Sequence, residues 1–483
     1  MRRPLALATL AALALAAAAL SGCAAWRVDK AAQVASSTTS HWLCAGVFIS
    51  GRDAAISRDE LLRPLPGMGL VNWALHYEVD REHREVRSSI AGGFRSRAVY
   101  RDRLGCSLVE PDAKGSPASV PDTEDWPVPS QPDILPAPVS PAPAPNPQLA
   151  AAIERAFVPP SGDPDQHTLA VAVLRDGRLI AERYAPGITA QTPLHGFSAT
   201  KSLSSALVGA LVQQGRLDVH QPAPIPAWQD PQDPRHAITL DHLLRQASGL
   251  DLDYDTSGFD RSTQILYSAQ DKAAAIASTP LAVPPGTQWH YTDPNYLLVG
   301  RVIRDAVTGP GPHRPDADAL AVRRFLRESF FGPLGMRSAV MEIDPSGSPI
   351  GAVHAYATAR DWARFGQLFL DDGMAGPRRI LPAGWVRYST TPTLDTGYGA
   401  GWYLNTVDRN VPGWGHGEVH VAWGLPSAPR DTFFARGFFG QFVIVIPSQR
   451  LVIVRFDASQ ERSAKHIAWD TDRLVAGIVD ALR

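Results

Sequence analysis

The chain has 483 residues, 45% of them apolar and 19% charged, which is ordinary globular composition, supplies a sizeable core and excludes disorder as the overall state. Forty-six basic residues against 48 acidic ones leave a formal charge of −2, so nothing draws the protein toward phosphate backbones and no nucleic-acid partner is expected. Only five of the basic residues are Lys (Lys30, Lys114, Lys201, Lys272 and Lys465), which makes a Lys in a special place informative.

Residues 1–22 read as an export signal: Arg2 and Arg3, an apolar run from Leu5 to Leu20, then two small residues before Cys23. Leu20-Ser21-Gly22-Cys23 resembles the lipobox of bacterial lipoproteins, which implies cleavage before Cys23 and lipid on its sulfur. A plain secretory signal or a short membrane anchor is the alternative, although the run is shorter than the roughly 20 apolar residues a spanning helix needs. Ala24 rather than Asp follows Cys23, so the lipoprotein rule implies a lipid-anchored protein of the cell envelope, facing the periplasm at the outer membrane. With Cys23 lipidated, Cys44 and Cys106 remain; an oxidising compartment favours pairing them, and two separate buried thiols are the alternative.

The N-terminal portion, 23–110, shows strand-like stretches at Trp42–Ile49, Val99–Arg101 and Cys106–Val109 but no constellation that points to chemistry. Residues 111–147 hold twelve prolines, a density that prevents regular helix or central strand and reads as an extended linker. The long portion 148–483 opens with a helical pattern over Leu149–Phe157. Thr168–Leu174 and Leu179–Tyr184 flank Asp176-Gly177, a hairpin signal. Gln441–Ile446 and Leu451–Phe456 form a second β pair, and a helical stretch over 463–482 follows. Hairpins at opposite ends of this portion predict one antiparallel sheet flanked by terminal helices. A mostly helical lobe lies between them in sequence, so the expected class is α/β (α+β) with a cleft where sheet and lobe meet.

Where the first hairpin gives way to the helical lobe the chain reads Phe197-Ser198-Ala199-Thr200-Lys201. Leu203, Ala206, Leu207, Ala210 and Leu211 then share one helical face, which puts Ser198 at the first turn and Lys201 three residues on, over the same side. A Ser hydroxyl needs a base within hydrogen-bond reach to act as a nucleophile, and a Lys near a helix N-terminus can serve as one. A capping Ser followed by a solvated Lys is the plainer reading; the small, apolar helix and the single occurrence of Ser-x-x-Lys favour the chemical one. No Gly-x-Ser-x-Gly, His-Glu-x-x-His, Walker loop or dinucleotide fingerprint occurs. There is no Cys-x-x-Cys pair, and His416 and His420 have no obvious third ligand, so neither a metal nor a cofactor is expected.

Ser198-Ala199-Thr200-Lys201 resembles the first motif of the serine β-lactamase and DD-peptidase superfamily, in the branch that holds class C β-lactamases, esterases and 6-aminohexanoate-dimer hydrolases. The likeness runs from about Thr168 to Phe456 and includes Leu243–Leu250, Phe331–Met336 and Tyr356–Gly366. It implies a β-lactamase/transpeptidase-like fold and places Tyr291-Thr292-Asp293 at the second motif, usually Tyr-x-Asn, with Tyr291 sharing the Ser198 proton with Lys201. Ala435-Arg436-Gly437 stands where Lys-Thr-Gly is usual. By the same resemblance Asp293, Arg436 and Gly437 face substrate, and the backbone N–H groups of Ser198 and Phe438 form the oxyanion hole. The Lys and Thr that hold a β-lactam carboxylate in the family are replaced, and Phe433, Phe434, Phe438 and Phe439 are expected to make that wall apolar. The expectation is therefore an exported lipoprotein serine hydrolase that cleaves a small-molecule ester or linear amide through an acyl-enzyme on Ser198. The alternatives are a β-lactamase or cell-wall DD-peptidase, and a non-catalytic peptidoglycan-binding protein.

Overall fold

The computed structural model describes residues 28–65, 67–112, 125–133, 146–158, 167–253, 257–405, 424–459 and 464–483. Cys23 and the residues before it, His416 and His420 lie outside them. Six strands form the central antiparallel sheet, in the order Tyr403–Leu404, Phe433–Gly437, Gln441–Ile446, Leu451–Asp457, Thr168–Arg175 and Arg178–Tyr184. The two hairpins therefore meet edge to edge, with Leu451–Asp457 pairing Thr168–Arg175.

Period-two alternation divides the side chains of these strands between two cores. Val171, Val173, Ile444, Ile446 and Ile453 point to one face, where they pack with the helices Pro147–Ala156 and Ala464–Ala481 through Leu149, Ile153, Val475 and Ile478. Ala170, Ala172, Leu174, Val443 and Val452 point to the other, against the helix Ala359–Leu370. Gly366 of that helix lies so close to the sheet that a Cβ would stand 2.5 Å from Val452 Cγ1. Beyond this layer lies the helical lobe, built around Thr200–Gln213 and Asp293–Thr308.

The segment before the linker departs from expectation. Trp42–Ile49, expected as a strand, is the end of a 21-residue helix, Val28–Phe48, laid on a four-stranded antiparallel sheet of Leu75–Asp80, Glu85–Ile90, Gly93–Arg101 and Gly105–Val109. A short apolar run buried on all sides carries no amphipathic period, so helix and strand look alike in sequence. Ser36 and Ser40 tie the helix to the sheet through hydroxyl contacts with Ser88 and Ser96 at 2.9 and 2.8 Å.

This N-terminal segment shares its core with the rest of the chain. Trp42 Nε1 donates to Tyr267 Oη at 2.9 Å, Cys106 N donates to Glu342 Oε1 at 2.8 Å and Ser107 Oγ donates to Ile343 O at 3.0 Å. Residues 125–133 of the Pro-rich stretch form neither helix nor strand and run along the body, where Ser130 N and Gln131 N both donate to Pro333 O. Among the described residues no helix is long and apolar enough to cross a membrane.

Cys44 and Cys106 are joined by a disulfide with 6.1 Å between their Cα atoms. The bridge closes a sequence separation of 62 residues, which by loop-closure entropy corresponds to about 4 kcal/mol. Replacing both Cys by Ser is expected to lower stability by about that amount in denaturant unfolding. An unchanged midpoint would show that packing alone holds the helix to the sheet.

Candidate active site

Ser198 sits in a single 3-10 turn, Phe197–Ala199, that leads directly into the buried helix Thr200–Gln213. The turn is held in a costly shape. Phe197 has φ +45°, a left-handed conformation that an aromatic residue adopts only where its surroundings impose it. Its ring is gripped by His195 at 3.7 Å, Phe439 at 5.3 Å and Trp42 at 5.4 Å between centroids. Trp42 belongs to the N-terminal helix, so the segment before the linker helps to fix the backbone beside Ser198.

Lys201 follows one helical turn later and is 1% exposed. Its Nζ donates to Ser198 Oγ at 3.1 Å, to Ala352 O at 3.1 Å and to Asp293 Oδ1 at 2.6 Å. Sequence placed Asp293 among the substrate-binding groups; the structure sets its buried carboxylate against Lys201 as the counter-ion. An Asn there would offer the hydrogen bond without the charge, which is why the change from Tyr-x-Asn alters the lysine's surroundings more than the cleft wall.

Tyr291 stands just before the helix Asp293–Thr308, is 3% exposed, lies within electrostatic reach of Ser198, and has its ring centroid 6.3 Å from that of Tyr403. Lys201 Nζ lies 4.8 Å from its ring centroid. Burial, reinforced by the charge of Asp293, pushes the Tyr291 phenol well above its ordinary range, so it holds its proton. The loop that presents Tyr291 is clamped by Gln246, a residue the motif search passed over. Gln246 Nε2 donates to Thr292 O at 2.9 Å, its Oε1 accepts from Thr292 N and Asn295 Nδ2, and its backbone O accepts from His290 N. Gln246 is fully buried at φ +60°. Its signal in the sequence was its place within Leu243–Leu250, a stretch noted only as part of a resemblance.

The third element is the strand Phe433–Gly437. Gly437 passes so near the nucleophile turn that a Cβ on it would stand 2.2 Å from Gly196 O, and only glycine permits this approach. The crossing lays Gly437-Phe438 beside Gly196-Phe197-Ser198, which brings together the two segments expected to carry the oxyanion donors. Phe439, at φ +61°, continues the turn and packs on Phe197.

Arg436 is 6% exposed, within electrostatic reach of Tyr291 and Tyr403, and its guanidinium lies 6.0 Å from the Phe442 ring. It faces the interior beside the tyrosines rather than solvent. The four phenylalanines expected to line this wall are divided. Phe433 packs into the core on Trp402, Phe434 stacks on Tyr403 from the opposite face and Phe439 is covered by Phe197, while Phe438 alone is partly exposed. Alternation along the strand sends neighbours to opposite sides, so a run of aromatics cannot form one surface.

A serine hydroxyl hydrogen-bonded by a buried lysine amine, with a buried tyrosine beside that lysine and two converging backbone turns, is equipped for acyl transfer. Comparison with known proteins points the same way. The Beta-lactamase family profile matches residues 153–476. Penicillin-binding protein 4 of Amycolatopsis lactamdurans is 29% identical over 285 residues, covering 53% of this chain and 71% of that protein. The 6-aminohexanoate-dimer hydrolase of Paenarthrobacter ureafaciens is 24% identical over 315 residues, covering 62% and 74%. The crystal structure of a family VIII carboxylesterase superposes with a TM-score of 0.50 at 14% identity, covering 70% of this chain and 98% of that one, and so shares the fold. The chain belongs to the Beta-lactamase family, within the serine β-lactamase/transpeptidase superfamily, and is a serine hydrolase.

Proposed function

We propose that the protein cleaves carboxylic esters or linear amides by acylating Ser198 and then releasing the acyl group to water. One observation carries this reading: Lys201 Nζ donates to Ser198 Oγ at 3.1 Å, and the buried Tyr291 stands beside this pair with its ring centroid 4.8 Å from the same Nζ. As Oγ attacks the carbonyl carbon, its proton passes to Lys201 and Tyr291. Tyr291 gives its own proton to the departing alkoxide or amine and takes the one that Ser198 releases, so no free phenolate is needed. Water then enters, loses a proton along the same route in reverse and splits the acyl-enzyme, restoring Ser198. The N–H groups of Ser198 and Phe438 would hold the oxyanion, where one donor is worth about 10²- to 10³-fold in rate. A non-catalytic peptidoglycan binder has no use for such a proton path.

Arg436 supports a second reading. A buried guanidinium beside Tyr291 and Tyr403 stands where the resembling enzymes use Lys to hold a substrate carboxylate, and Arg binds carboxylates bidentately. That favours a substrate with a carboxylate, including a β-lactam or a cell-wall peptide. The Thr partner is missing, however, and a carboxylate held incompletely keeps part of its desolvation cost. The expected result is that kcat/KM for a p-nitrophenyl ester exceeds that for a chromogenic cephalosporin by about tenfold or more, each factor of ten being about 1.4 kcal/mol. Arg436→Ala should leave the ester rate within about threefold, since the ester carries no carboxylate. A cephalosporin preference that collapses in Arg436→Ala would establish the second reading and refute the first.

We also propose that the protein is exported and anchored in the envelope by lipid on Cys23, on the strength of Leu20-Ser21-Gly22-Cys23. The expected finding is an N-terminal Cys23 peptide carrying acyl mass in the membrane fraction of the producing cell. A mature chain that begins elsewhere, recovered from the soluble fraction, would refute it.

A further inference from the structure

Beyond the Ala352 carbonyl that receives Lys201, a second group of polar side chains is buried in the body. Glu342 and His354 lie on facing segments, with Glu342 N donating to His354 O at 2.9 Å, and His41 reaches them from the N-terminal helix. His41 Nε2 is 2.8 Å from Glu342 Oε2, and His354 Nδ1 is 3.7 Å from the same oxygen. All three side chains are at most 3% exposed. The 2.8 Å approach is not aligned as a hydrogen bond. Among the described residues His41 Nδ1, His41 Nε2 and Glu342 Oε2 all lack a hydrogen-bond partner, a costly condition for buried polar atoms.

We propose that His41, Glu342 and His354 bind one divalent transition-metal ion, with zinc the ion best suited to this donor set. Two imidazole nitrogens and one carboxylate oxygen converge within 4.8 Å of one another. A tetrahedral ion about 2.1 Å from its ligands holds them about 3.4 Å apart, and the 2.8 and 3.7 Å separations straddle that value. Lys272, within electrostatic reach of Glu342, directs its Nζ to Ala269 O at 2.9 Å rather than to the carboxylate.

The surroundings are organised as the outer shell of a metal site would be. Glu342 Oε1 accepts from Cys106 N at 2.8 Å, which fixes the carboxylate. Cys106 is bridged to Cys44, three residues after His41 on the same helix, so one disulfide links the supports of two ligands. His195 Nε2 lies 2.8 Å from Val353 O and 3.2 Å from His354 Nδ1; the ion would displace the second contact and leave the first. Three protein ligands leave a fourth position for water. Because the ligands come from the N-terminal helix and from the segment bearing Ala352, the ion would fasten that helix to the wall that holds Lys201. Sequence gave no warning, since none of the three ligands stands at short spacing from another.

The test uses the full mature chain, produced once in zinc-supplemented and once in chelator-treated medium. Elemental analysis of the zinc preparation should find one zinc per chain, and Co²⁺ in its place should give the visible ligand-field absorption of a low-coordinate N/O site. Glu342→Gln should lose both while still labelling at Ser198 with a fluorophosphonate. The wild type should melt lower after chelator-treated production, and Glu342→Gln should melt alike from both media. Zinc-free wild type from supplemented medium, or a Co²⁺ spectrum that survives in Glu342→Gln, would overturn the proposal. The wild-type metal content decides the matter even if the variant fails to fold.

Discussion

Ser198→Ala is expected to lower ester turnover by about 10⁴- to 10⁶-fold, the scale on which removing the nucleophile of a serine hydrolase is felt. Stability should change by less than about 1.5 kcal/mol, because the side chain is partly exposed and the hydrogen bond from Lys201 is the one lost. The covalent adduct with a fluorophosphonate should vanish from the Phe197–Lys201 peptide. Tyr291→Phe and Lys201→Ala should each forfeit much of the roughly 10²- to 10⁴-fold that proton transfer supplies. Their combined loss should fall short of the product of the two, since both serve one proton path. Lys201→Ala also strands the Asp293 carboxylate, so its folding is checked by circular dichroism before its rate is read. Ester turnover that persists in Ser198→Ala would remove Ser198 from the mechanism.

Asp293→Asn should be the most destabilising single change in the site that keeps its shape. It leaves Lys201, 1% exposed, with hydrogen bonds to Ala352 O and Ser198 Oγ but without its counter-charge. Uncoupling a buried ion pair typically costs about 3–5 kcal/mol, and the retained amide hydrogen bond places this variant near the lower figure. Lys201→Met combined with Asp293→Asn should recover most of the lost stability while remaining inactive, because no uncompensated charge is left in the interior. Both effects are read by denaturant unfolding. An Asp293→Asn protein as stable as the wild type would mean that the neighbouring carbonyl and hydroxyl suffice for the lysine.

The sequence disclosed those parts of the fold that are written in short range. Both hairpins, both terminal helices and the Ser198–Lys201 spacing depend on neighbours within one or two turns, and all lie where the pattern puts them. What escaped depends on partners far along the chain. Asp293 meets Lys201 across 92 residues, and Trp42 meets Tyr267 across 225. Nothing local to either residue marks such a meeting. Arg436 could be assigned a position in a motif but no direction, because on a strand one residue of register separates interior from solvent. Gln246 was hidden for another reason: its work is done by an amide that any polar residue resembles until its three side-chain contacts with Thr292 and Asn295 are seen together.

The helix Val28–Phe48 also bears on how the molecule reaches its native state. Trp42 and the Cys106 backbone find their partners 225 and 236 residues further on, so the floor beneath Phe197 cannot be laid until Tyr267 and Glu342 have emerged and packed. Contacts of such separation are slow to form, because the entropy of closing the intervening chain is lost before the contact returns any energy. The family-matched stretch 153–476 is therefore expected to depend on the segment before it. A chain begun at Gln148 should collapse without a properly seated nucleophile turn, and it should regain Ser198 labelling when the preceding segment is supplied as a separate polypeptide.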